Sequence, residues 1–154
     1  MYKATVRALV RHGITRMNAG DPEFILRLAD PDAELSFPGD NSWSTMFRSV
    51  VKGRDRHVTH RGEKECRAFA ERFVDEGLQF GIEDILVNGP PWRTRVALRA
   101  YDFRPGTDDG DEYTNRAVAF LELRWGKLVR WEDYEDTERV ADWDARRAAV
   151  PERV

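Results

Sequence analysis

From residue 78 to residue 135 the chain reads as alternating segments separated by turn signals, and this limits the fold more than any other feature. Leu78 to Asn88 carries Phe80, Ile82, Ile85 and Val87, and the change of phase between Ile82 and Ile85 predicts a bulge. Gly89-Pro90-Pro91 is a turn, Arg93 to Phe103 a second strand, and Arg104 to Gly110 a loop rich in Pro, Gly and Asp. Glu112 to Trp125 is a long third strand, and Gly126-Lys127 makes a tight hairpin into Leu128 to Glu135. Consecutive strands joined by short turns form an antiparallel meander.

Helical signals come first in the chain. Val6, Leu9, Val10, Ile14 and Met17 recur at helical spacing over residues 4–19, and Asn18-Ala19-Gly20 stops the run. Asp21-Pro22 starts a second helix with Phe24, Ile25 and Leu28 on its apolar face. Ala33 to Phe37 is a short strand, broken by Pro38-Gly39. Residues 39–62 read as a long loop with one helical turn around Ser44 to Val50; loops of that length are commonly functional. Its Trp43, Met46 and Phe47 suit either a pocket lid or a dimer contact. Glu63 to Glu76 forms a third helix, with Cys66, Phe69, Ala70 and Phe73 on one face and Gly77 as its stop. Asp136 caps a last helix, Thr137 to Val150, with Val140 and Trp143 as its apolar stripe. Helices followed by a meander make an α+β fold, and 154 residues make one domain, residues 1–154.

Composition narrows the function. Charged residues are 34% of the chain but the net charge is only −3, which argues against nucleic acid as a partner. Cys66 stands alone, so no disulfide within the chain and no CxxC site is possible. The longest apolar run is Ala117 to Leu121 and the N-terminus has no secretory pattern, so we expect a cytoplasmic protein without a membrane span. No HxH, HExxH, Gly-rich phosphate loop or GxSxG elbow occurs, so neither a metal nor a cofactor is expected. Lys52, Arg54, Arg56 and Arg61 form a basic cluster that reads as a solvated loop, and Asp108, Asp109, Asp111 and Glu112 lack a calcium-loop pattern.

Several runs resemble one family. Met17-Asn18-Ala19-Gly20-Asp21-Pro22-Glu23 resembles the first helix–helix corner of the SnoaL-like branch of the NTF2-like superfamily. Leu28-Ala29-Asp30-Pro31-Asp32-Ala33-Glu34-Leu35 resembles the approach to its first strand, and His60-Arg61-Gly62-Glu63-Lys64-Glu65 the turn into its third helix. Gly126-Lys127-Leu128-Val129-Arg130-Trp131-Glu132-Asp133-Tyr134-Glu135-Asp136 resembles its last strand. The resemblance implies a cone: a curved antiparallel sheet wrapped around N-terminal helices, with a pocket at the wide end. The family includes polyketide cyclases, ketosteroid isomerase, limonene epoxide hydrolase, dehydratases and modules without chemistry, so fold alone does not give function.

Site residues follow position by position. Where the isomerase has its base, this chain has Phe37; its oxyanion tyrosine falls near Gly13 and its protonated aspartate near Leu121. The hydrolase's arginine falls at Arg95, one carboxylate at Asp133, and the other at Ala97. Asp133 is thus the expected proton carrier, with Arg95 as its orienter and His12 on the first helix as a further catalytic candidate. Trp131 and Glu135 share the face of Asp133, and a carboxylate beside an apolar wall has its pKa raised. Tyr101, Arg99 and Phe37 complete the expected substrate contacts; an Arg95–Asp133 ion pair of purely structural role is the alternative. The expected function is cofactor-independent acid–base chemistry on an apolar polyketide- or steroid-like molecule, as a cyclase, isomerase or dehydratase. The alternative is a non-catalytic ligand-binding or dimerisation module. A homodimer is expected, with Val96, Leu98, Val118 and Phe120 among Arg116, Glu122 and Arg124 on the outward side of the sheet.

Overall fold

The computed structural model describes residues 1–51, 57–106 and 112–149. The elements are α1 (Tyr2–Asn18), α2 (Glu23–Leu28), β1 (Ala29–Phe37), β2 (Val58–Arg61), α3 (Gly62–Asp75), β3 (Gln79–Asn88), β4 (Thr94–Arg104), β5 (Tyr113–Arg124), β6 (Lys127–Glu135) and α4 (Thr137–Ala148). Six strands form one curved sheet in the order β2-β1-β6-β5-β4-β3, and with the N-terminal helices it makes an α+β cone.

The meander from β3 to β6 is antiparallel. The sheet as a whole is mixed, because β1 pairs parallel to β6, with Leu35 beside Trp131. Short turns dictate antiparallel neighbours only for strands adjacent in sequence; β1 reaches β6 through everything between them. The loop expected over 39–62 contains β2, which pairs antiparallel to β1 and places His60 opposite Leu35. Its helical turn lies earlier than expected, closed by Thr45 N–H donating to Asn41 O at 3.0 Å. The bulge expected in β3 falls between Ile82 and Asp84. The β5–β6 turn centres on Trp125 and Gly126, both at positive φ (50° and 79°), one residue before the expected pair. Two left-handed residues match the strand twist that a two-residue hairpin needs.

α1 buries Val6, Gly13, Ile14 and Met17, one face at helical spacing. At Gly13 an added Cβ would stand 3.1 Å from Ile25 Cγ1, so this position is occupied by the packing of α2. Val6 and Ile14 pack on Val96, Leu98, Leu121 and Trp131 of the sheet. A second cluster closes the other end, where Trp43, Phe73, Tyr113, Val140 and Trp143 meet. Asp136 caps α4, accepting from the N–H groups of Glu138 and Arg139.

The expected outward residues Val96 and Leu98 are interior, at 0% and 1% exposure. On β4 the even positions 94–102 face the core and the odd ones face out. Val118 remains on the outward side. Lys52, Arg54, Arg56, Asp108, Asp109 and Asp111 lie outside the described residues.

Candidate active site

Small residues line the inner face where β4, β5 and β6 run together. Across the sheet, Ala100 pairs with Ala117 and Ala117 with Glu135; Leu98 pairs with Ala119 and Ala119 with Asp133. Three alanines leave space there, and carboxylates occupy its edge. Asp133 and Glu135 share one face of β6 because they are two residues apart. Asp102 follows Ala100 on the inner face of β4.

Asp102, Asp133 and Glu135 line one cavity of about 30 Å³, walled chiefly by aromatic rings, including Phe37, Trp43, Phe73, Tyr113 and Trp143. A second cavity of about 50 Å³ lies between the helices and the β1–β6 seam; apart from Asp133, its walls are apolar. Phe37, Phe69, Phe80 and Asp133 border both. Volumes of this size hold a few waters. An organic ligand therefore requires the side chains around it to move.

The electrostatics follow from burial. Desolvation pushes the Asp133 carboxyl up to about 7, opposed by the hydrogen bond from Trp131 Nε1 to Asp133 Oδ1 (2.6 Å) and by His57. Desolvation first, then the charges of Asp133 and Asp102, push Glu135 up to about 9. Asp102 is also raised well above the usual carboxylate range, by burial and by Asp133. The Asp102 and Glu135 side chains hydrogen-bond each other, an arrangement that needs a shared proton. Asn115 Nδ2 donates to Tyr113 Oη (3.1 Å), Asp136 O (2.9 Å) and Glu135 Oε2 (3.4 Å). Asp102 Oδ1 and Asn115 Oδ1 are buried with no hydrogen-bond partner.

One wall of this cavity is made by Trp43 together with Val140 and Trp143 of α4. Ser42 ties that wall together: its N–H and Oγ donate to the Asp144 carboxylate at 2.7 and 2.8 Å. Arg72 donates to Ser42 O and Oγ, lies over the Trp43 ring and pairs with Glu76. Arg147 of α4 pairs with the same Glu76. His60 is fully buried; its ring bonds Trp43 O at 2.9 Å through Nε2, and burial lowers its pKa.

The structure brings together Asp133, Trp131, Glu135 and Phe37 and separates the others. Arg95, the expected orienter, is exposed on the outer face, so the Arg95–Asp133 pair is not made. Ala97 shares that outward phase. Arg99 is also outward and pairs with Glu83 at 3.2 Å. Tyr101 lies over Gly81 on the same side, where an added Cβ would come within 2.1 Å of its Cζ. His12 is exposed and packs edge-on against Phe24, away from the cavity. Strand alternation is the reason for all of the β4 corrections: the hydrolase-like pairing selected the odd positions, whereas Val96, Leu98 and Ala100 mark the even ones as inward. Asp102, in phase with them, is the residue that sequence reasoning missed. Among the described residues, no set of three His, Cys, Asp or Glu is arranged to hold a metal ion.

The comparisons agree with this geometry at the level of fold. A family model described as the SnoaL-like domain matches residues 10–131. No curated protein matches the chain significantly. Among solved structures, the IdmH 96–104 loop truncation variant is 16% identical with a TM-score of 0.66, covering 89% of this chain and 97% of that one. The epoxide hydrolase/cyclase-like enzyme SalBIII, described for pyran ring formation in salinomycin, is 15% identical with a TM-score of 0.64 over 89% and 95%. A putative polyketide cyclase from Xanthomonas campestris pv. campestris is 19% identical with a TM-score of 0.56 over 90% and 93%.

Proposed function

This chain belongs to the SnoaL-like domain family, and from that premise we propose that it is a small-molecule enzyme using cofactor-independent acid–base chemistry. The observation that carries the reading is Asp133, a buried carboxyl pushed to about 7 that borders both cavities. A carboxyl poised near neutrality accepts a proton from carbon or oxygen and returns it without a large mismatch in driving force. Glu135, pushed to about 9, holds its proton at neutral pH and is placed to donate it. Asp133 is then the base and Glu135 the acid, and the apolar second cavity takes the body of the substrate. Isomerisation, dehydration and ring closure all need this division of labour. The polyketide and cyclase descriptions of similar structures support an apolar, oxygenated substrate class.

The decisive experiment is a thermal-shift screen of hydrophobic ketones, epoxides and aromatic polyketides, because a ligand for the native state raises apparent stability. Turnover of any hit is then compared with that of Asp133→Asn. We expect binding to persist and turnover to fall by at least a hundredfold. A hit that is converted equally fast by Asp133→Asn overturns the assignment. The small size of the two cavities, about 30 and 50 Å³, favours a second reading, a binding module without chemistry. That reading expects binding without conversion. We further propose a cytoplasmic homodimer; no described helix is long and apolar enough to cross a membrane.

A further inference from the structure

We propose that the substrate of this site carries a protonated amine, held by Asp102 in the aromatic-walled cavity, beside the acid–base pair. The inference deepens the reading of the same site and rests on it. Asp102, Asp133 and Glu135 line one cavity, where Asp133 accepts from Trp131 Nε1, Glu135 accepts from Asn115 Nδ2, and the Asp102 and Glu135 side chains hydrogen-bond each other. Three acids buried side by side stay uncharged by keeping protons, and a cation within reach favours their ionised forms. Separately, two acceptor oxygens at this place have no donor: Asp102 Oδ1 and Asn115 Oδ1. Asp102 is 8% exposed and Asn115 2%, and they are direct partners across β4 and β5. Buried acceptors lacking a donor are rare in native proteins. An ammonium is the group that supplies donors and positive charge together.

The walls fit the same chemistry. Phe37, Phe69, Phe73, Phe80 and Tyr113 put ring surface around the carboxylates, and ring faces attract cations. Trp43 and Trp143 already do so on their outer sides, where Arg72 and Arg147 lie 3.9 and 4.8 Å from the ring centroids. Among the described residues, the other titratable groups interacting with the trio are Tyr113 from β5, His57 before β2, and Asp136 at the start of α4. Of these only His57 is basic, and its Nε2 contact is with the backbone oxygen of Asp133 at 2.7 Å. An ammonium at Asp102 favours the ionised carboxylates, so its binding releases protons and tightens with rising pH.

The test uses two probes of matched shape, benzylamine and benzyl alcohol, followed through the tryptophan indole N–H signals by NMR. The Trp131 signal, identified with Trp131→Phe, reports directly on the bond to Asp133. We expect benzylamine to bind at least tenfold more tightly than the alcohol at pH 8, with the preference shrinking at pH 5. In Asp102→Asn the preference should vanish while alcohol binding persists. Equal affinities in the native protein, or a preference independent of pH, overturn the amine and leave the apolar-pocket reading standing. Failure of both probes to shift any indole signal at millimolar concentration overturns both readings. If Asp102→Asn does not fold, the pH dependence in the native chain still decides.

Discussion

At the scale of the residue, Asp133 sets the pH behaviour. Its folded pKa of about 7 lies above the ordinary aspartate value near 3.9, so the native state binds more protons between those limits. Stability from this group is complete below about pH 4 and is lost as pH rises through about 7. Asp133→Asn keeps an acceptor for Trp131 Nε1 and cannot ionise. We therefore expect the variant to gain stability relative to the native chain on going from pH 5 to pH 8. The gain is about 1.4 kcal/mol for each unit of displacement titrated, read from urea melts at the two pH values. His60 works the other way: its lowered pKa makes the native state bind fewer protons, so it subtracts stability as pH falls below about 6.5. Arg95→Ala and Ala97→Asp test the face assignment. Both residues point away from the cavity, so ligand affinity and turnover should change less than twofold. A large change in either would return the outer face of β4 to the site.

At the scale of the element, α4 is held by its cap, by the Ser42–Asp144 and Arg147–Glu76 contacts, and by the packing of Trp143. Trp143 is fully buried, with its ring 4.4 Å from Tyr113 and 6.5 Å from Trp43, centroid to centroid. Asp136→Ala removes the acceptor for two N–H groups and should cost about 1 kcal/mol. That loss should appear as faster amide exchange confined to residues 137–148, with the sheet unaffected. Slowed exchange, or exchange raised equally throughout, would mean that α4 does not open as a unit. The helices and the meander were legible because each carries its own period: 3.6 in α1 and α3, two in β3 to β6. β2 was not legible, since four residues ending on a helix start give alternation little room to show. Nor was the parallel β1–β6 pairing, which no local pattern encodes. In the site, β6 declared Asp133 and Glu135 through a recognisable strand. Asp102 stayed hidden because the hydrolase-like pattern on β4 marks its odd positions, whereas Val96, Leu98 and Ala100 mark the even ones as inward.

At the scale of the whole molecule, the proposed homodimer would use the outer face of the sheet. Tyr101, Val118 and Tyr134 are exposed there among Arg99, Arg116 and Glu83, so apolar and charged groups of both signs are mixed on one side. Light scattering at micromolar concentration should give twice the chain mass, and Val118→Arg should halve it. A native monomer would remove the dimer from the reading. The pairing of β1 with β6 also has a consequence in time. Residues 29–37 find their partner about a hundred positions downstream. During synthesis the first helices and β1 emerge while the strand that completes their sheet is still untranslated. The carboxylates at 133 and 135 emerge later than nearly everything that surrounds them. Before that moment the apolar side of β1 has only helices to lie against, and long-range closure of this kind slows folding. Chains stalled before residue 127 should therefore be captured by chaperones and cut readily by protease, whereas release of β6 and α4 should confer resistance in a single step.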